Sequence, residues 1–207
     1  MQSVRRGAAV ILASGMLVVG LSACGPAPWN QASTASPSPT STATVVPAPV
    51  ENDLSSGSTE REVTAGAVSA KINYWSTLSM DQWTATALKP ISLSMSTTVT
   101  PNDGQKVYLQ RAVMVAVPAN ATETFAALEP QTDKSSVNPG YLVLDPYSYS
   151  QTFNMGEVPA GATFVTVQFT YDFLVQAAPD STEFAKQTAT DSLTIAIAGS
   201  PVSGTDG

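Results

Sequence analysis

Thr163 to Gln176 reads TFVTVQFTYDFLVQ, and its alternation constrains the fold more than any other feature of the chain. Val165, Val167, Phe169, Tyr171, Phe173 and Val175 recur at every second position, with Thr166, Gln168, Thr170 and Asp172 between them. A period of two puts the first set on one face of a β-strand and the second set on the other. A helix would scatter the same apolar side chains around its circumference. A strand with a single apolar face needs a layer to cover it, so this segment predicts one sheet packed on another.

Other segments repeat the pattern. In VSAKINYW, Val68, Ala70, Ile72 and Tyr74 share a face; in ISLSMSTTV, Ile91, Leu93, Met95 and Val99 alternate with serines and threonine. KVYLQRAVMVAV (Lys106 to Val117), YLVL, YSYSQTFNM and DSLTIAIA supply four further strands. PNDG (Pro101 to Gly104) reads as a hairpin turn rather than a calcium loop, because the spaced acidic ligands of such a loop are missing. Asp145-Pro146 and PAG (Pro159 to Gly161) mark further turns, while ATETFAALEP (Ala121 to Pro130) allows a helical turn or two. About seven strands over residues 61–199 predict an immunoglobulin-like antiparallel β-sandwich, with a frayed tail at 200–207. The inter-sheet disulfide of antibody domains is excluded, because Cys24 is the only cysteine.

The composition excludes several chemistries. Histidine is absent, which removes imidazole acid–base catalysis and His-metal sites. No G-x-S-x-G elbow occurs, and no lysine beyond residue 60 has a serine three positions before it. The expectation is a domain that is not an enzyme and takes neither cofactor nor metal. Nine basic residues against 16 acidic ones give a net charge of −7, which argues against nucleic acid as a partner. Asp145, Glu157 and Asp172 read as solvated or turn residues. Arg111 is out of place: it shares a strand face with Val107, Leu109, Val113, Val115 and Val117, so a local bulge or a strand edge is expected there. Trp75, Trp83, Tyr147 and Tyr149 are the candidate ligand-contact aromatics, on which a sugar ring can stack, although packing inside a sandwich is the commoner use of such side chains.

The first residues point to a location. Met1 to Arg6 is short and basic, and Gly7 to Leu21 is a 15-residue apolar run, shorter than the roughly 20 residues that span a bilayer. Leu21, Ser22, Ala23 and Cys24 follow at once, and this tetrapeptide resembles the lipobox of bacterial lipoproteins. The resemblance implies diacylglyceryl transfer to the Cys24 thiol and cleavage before Cys24 by signal peptidase II, removing residues 1–23. It also implies attachment to the extracytoplasmic face of the cell membrane, with the lipoprotein-processing enzymes as partners. Arg5-Arg6 lacks the rest of a twin-arginine consensus, so general secretory export is expected. Half of the 36 residues from Gly25 to Glu60 are Pro, Ser or Thr; residues 24–60 therefore read as a disordered tether, which as a coil spans about 30–36 Å. The acidic, alanine-rich remainder loosely resembles surface lipoproteins of actinobacteria, a resemblance that implies no activity. The expected role is a binding or interaction module, with an envelope protein, a transporter complex or a cell-wall glycan as its partner.

Overall fold

The computed structural model describes residues 50–199. The leader, the lipobox with Cys24, most of the tether and the tail lie outside the described residues. Within them run nine strands: β1 (Ser58–Ala65), β2 (Val68–Trp75), β3 (Lys89–Val99), β4 (Val107–Ala119), β5 (Gln131–Lys134), β6 (Tyr141–Leu142), β7 (Tyr149–Met155), β8 (Phe164–Gln176) and β9 (Phe184–Ala196). They build two antiparallel sheets, one in the order β1-β2-β3-β7 and the other β5-β4-β8-β9, with β6 also pairing β4. The chain changes sheet between β3 and β4, between β6 and β7, and again between β7 and β8. Those five strands, β3, β4, β7, β8 and β9, therefore stand where B, C, E, F and G stand in an immunoglobulin-like sandwich.

The alternation decides what lies between the sheets. Val165, Val167, Phe169, Tyr171 and Phe173 of β8 are all fully buried, opposite Ile72 and Tyr74 of β2 and Ile91 and Leu93 of β3. Phe169 is the hub of an aromatic cluster, its ring centroid 5.2 Å from Tyr74, 5.7 Å from Phe153 and 6.0 Å from Tyr171. The Tyr74 hydroxyl meets that of Tyr171 at 2.9 Å and donates to Asp191 Oδ2 at 2.9 Å, so these buried polar tips are mutually satisfied. At one end of the sandwich, buried Lys89 donates to the carbonyls of Thr84, Ala85 and Ala87 and ties down the loop before β3. The contiguous core of the described residues runs from Leu54 to Ile197.

Several expectations require correction. The strands number nine, because β1 and β5 carry too few apolar residues to betray themselves. β1 begins at Ser58 and Leu54 is fully buried, so folded structure starts before the expected boundary at residue 61. DSLTIAIA is only the second half of β9, and YLVL supplies just the two residues of β6 plus a bridge from Leu144 to Thr97. Ala121 to Pro130 is not helical; a β-bridge joins Thr124 to Ala119 instead. PNDG is a turn, with Gly104 at φ 96° and its N–H donating to Asn102 Oδ1, but β3 and β4 lie in different sheets, so it forms a corner rather than a hairpin.

Arg111 sits at a bulge, as its sequence context requires. The register between β4 and β8 slips between Leu109 and Arg111. One extra residue reverses every side chain beyond it. Hence Ala112, Met114 and Ala116 face the core, while Val113, Val115 and Val117 share the outer face with Thr170, Gln168 and Thr166.

Candidate functional site

The four candidate aromatics do not form one surface. Trp83 is completely buried, with its indole N–H donating to Ser76 Oγ, and Tyr149 is a core residue whose hydroxyl donates to Asp133 Oδ2 at 2.7 Å. Burial pushes the Tyr149 phenol far above its ordinary range, and the Asp133 carboxylate adds to the shift. Both residues are thereby corrected from ligand contacts to packing elements. Trp75 is half-buried at the end of β2, opposite Ser92, and Tyr147 is 57% exposed just ahead of β7. Tyr147 N–H donates to Leu144, which bridges Thr97, so five residues of β3 separate the levels of the two rings. At about 3.3 Å per residue, roughly 16 Å of β3 separates those two backbone levels.

Between them lies the outer face of the four-stranded sheet, and it is polar throughout. Glu60 and Glu62 of β1, Lys71 and Asn73 of β2, and Ser94 and Ser96 of β3 follow one another in register. A shallow groove of about 240 Å³ runs over Glu60, Lys71, Asn73, Ser94, Ser96 and Ser148. Lys71 stands directly opposite Glu62 yet makes no ion pair among the described residues, and Glu62 instead accepts from Ser69 Oγ at 2.6 Å. The face therefore offers hydroxyls, carboxylates, an ammonium and an amide, with an indole at one end.

The outer face of the five-stranded sheet carries the most organised polar centre. Asp172, expected to be solvated, is 2% exposed. Its Oδ2 accepts from Arg111 Nε and lies 3.0 Å from Lys186 Nζ, while its Oδ1 accepts from Thr188 Oγ1 at 2.7 Å. Burial pushes the Asp172 carboxyl up, but the bonds from Thr188, Lys186 and Arg111 outweigh it, leaving the group below its ordinary value of 3.8. Three donors, from the two strands that flank β8, thus converge on one carboxylate. The sequence held a signal for this centre: Arg111 and Asp172 each interrupt a strongly apolar strand, and an out-of-place charge on each of two strands is what a pair requires. Charge balance across paired strands, read together, finds it where residue-by-residue reading does not.

Of Asp145 and Glu157, also expected to be solvated, Glu157 is exposed beside a shallow pocket of about 220 Å³ over Met114, Leu128 and Met155. Asp145 is exposed in the turn before β7. Neither joins the Asp172 centre. Comparison of the chain with protein-family models, with curated proteins and with solved structures finds no match.

Proposed function

We propose that this chain is a lipoprotein held at the extracytoplasmic face of the cell membrane by a diacylglyceryl group on Cys24, and that its sandwich is a non-catalytic binding module. One observation carries the reading: Leu21-Ser22-Ala23-Cys24 closes a 15-residue apolar run behind Arg5-Arg6, and no other cysteine occurs in the chain. Two acyl chains give stable attachment where one gives only marginal attachment, so an acidic domain needs no electrostatic anchor. A groove on the outer face of the four-stranded sheet supports a module that contacts extended partners. The hydroxyl-rich face ending at Trp75 supports a cell-wall glycan as one such partner, because an indole stacks on a sugar ring while the neighbouring groups meet its hydroxyls.

Replacing Cys24 by Ser tests the anchor. A hydroxyl is a far weaker nucleophile than a thiolate, so the Cys24→Ser protein is expected to lose its label from radioactive palmitate and to resist cleavage by signal peptidase II. Wild-type protein that partitions into the aqueous phase of a detergent extraction, with Cys24 unmodified by mass, overturns the reading.

A further inference from the structure

The Asp172 centre belongs to a larger patch whose charge opposes that of the rest of the domain. Lys134 of β5 stands directly opposite Arg111 of β4, and Lys186 of β9 shares a row with Leu174 of β8 and Tyr108 of β4. Three of the seven cations beyond Arg6 therefore meet on one sheet face of a chain whose net charge is −7. Like charges placed directly opposite across a strand pair destabilise it; Arg111 is offset by Asp172, whereas Lys134 makes no ion pair among the described residues and is open to an anion from outside. Asp172, the one carboxylate on this face among the described residues, is buried and pairs with both Arg111 and Lys186, so three cations and one carboxylate leave two net positive charges. It takes the Nε edge of Arg111 and one side of the Lys186 ammonium, and the terminal guanidinium nitrogens bond nothing else among the described residues. Arg111 is 46% exposed and Lys186 51%, so the free donors face solvent. Beside them the Tyr108 ring meets Phe184 edge-on at 5.9 Å, and both are half-buried.

Donors held by a buried carboxylate, next to an aromatic and aliphatic strip, suit a phosphodiester that has apolar material beneath it. We propose that this face docks on anionic phospholipid headgroups, with Arg111, Lys134 and Lys186 on the phosphates and Tyr108, Leu174 and Phe184 at the headgroup boundary. The proposal rests on the lipid-anchor reading for its strength. Each net positive charge near an anionic surface raises partitioning about five-fold, so the two left on this face give about 25-fold, which is weak for a free protein. A tethered domain sees the membrane at millimolar effective concentration, and there such an affinity is sufficient. The acids of the opposite face, Glu60 and Glu62, lie beyond a sheet spacing of about 10 Å. Screening at a Debye length of about 8 Å removes most of their repulsion. Asp180 and Glu183, on the loop at the rim, set a preference for an orientation that keeps this loop off the surface.

The test uses the unlipidated chain of residues 25–207 sedimented with vesicles of phosphatidylcholine alone or mixed equally with phosphatidylglycerol. Partitioning is expected to be at least ten-fold higher with phosphatidylglycerol and to fall to the neutral-vesicle value at high salt. Lys134→Gln with Lys186→Gln, which leaves the Arg111–Asp172 pair in place, is expected to remove about ten-fold or more of it. Arg111→Gln is added only in a protein whose circular dichroism and melting match wild type. Equal binding to both vesicles, or undiminished binding by the double variant, overturns the proposal. Displacement by millimolar glycerol phosphate assigns the site to soluble phosphate esters and overturns it as well. The chain in this assay carries no lipid, so a negative result leaves the Cys24 reading intact.

Discussion

Two neighbouring residues of β8 show how sharply the strand's faces differ. Phe169 is fully buried between Tyr74, Phe153 and Tyr171, so Phe169→Ala should cost about 3–5 kcal/mol in a denaturation series. Thr170 is on the outer face beside Val113, and Thr170→Ala should cost less than about 0.5 kcal/mol. Comparable losses from both would mean that the outer face is covered. Asp172, two positions on, breaks the simple rule that the outer set is solvated. Replacing it by Asn removes the negative charge and turns one of the two acceptor oxygens that order Arg111, Lys186 and Thr188 into a donor, at about 1–3 kcal/mol near neutral pH. Its folded-state pKa lies below the ordinary 3.8, so its contribution is complete above that value and is lost as pH falls through the folded one. The gap in stability between wild type and Asp172→Asn should therefore be constant above about pH 5 and narrow as pH falls below the ordinary 3.8, as read from urea midpoints at several pH values. A gap independent of pH would show that the carboxylate's charge is not what matters.

Legibility at the level of the elements followed apolar content. β2, β3 and β8 each place four or more buried apolar residues at alternate positions, and their faces were readable to the residue. β5 is Gln131-Thr132-Asp133-Lys134, without one apolar side chain, and nothing local distinguishes it from a loop. It exists because β4 offers it an edge. β1 is similar: Thr59, Arg61 and Val63 occupy its half-buried positions and only Ala65, its last residue, is buried, so just two small hydrophobes mark the strand. In β4 the alternation points Val113, Val115 and Val117 inward, but the bulge at Gln110 puts Ala112, Met114 and Ala116 on the core side instead. The same polar residues that hid the edge strands close the corners of the sandwich. Gln131 Nε2 donates to the Asn154 carbonyl at 2.6 Å, and the Asn154 N–H donates back to Gln131 Oε1 at 3.0 Å, so a side-chain amide pairs with the free edge of β7 as a strand would. Gln131→Ala should lower stability by about 1 kcal/mol, since both bonds are exposed. It should also raise concentration-dependent light scattering, because an uncovered strand edge recruits other chains. Unchanged scattering with the expected loss of stability would confine Gln131 to a purely local role.

At the scale of the whole molecule, the question is where the folded body starts. Composition places the transition at about residue 61, because Gly25 to Glu60 is rich in Pro, Ser and Thr. Packing places it earlier. Leu54 is fully buried, and the backbone around it is tied to the far sheet: Asp53 N–H donates to the Thr194 carbonyl at 2.9 Å, and Thr194 N–H donates to Asp53 Oδ2 at 2.7 Å. Asp53 Oδ1 also meets Arg61 Nη2 at 2.6 Å, which fixes the turn leading into β1. One leucine, a few hydrogen bonds and half an edge strand are invisible to a composition window, since the same stretch contains Ser55, Ser56, Gly57, Ser58 and Thr59. Two chains separate the alternatives. One begins at Val46 and retains every core residue; the other begins at Arg61 and lacks Leu54, Asp53 and the first three residues of β1. Loss of the buried leucine costs about 2–5 kcal/mol, and each lost clasp bond adds about 0.5–1.5 kcal/mol. A domain of this size is typically stable by only about 5–15 kcal/mol. The Val46 chain should therefore unfold cooperatively with a β-dominated circular dichroism spectrum, while the Arg61 chain should melt much lower and expose the inner face of β9 to a hydrophobic dye. Equal melting temperatures for the two would show that the segment around Leu54 rests on the sandwich without contributing to it, and the boundary would return to residue 61.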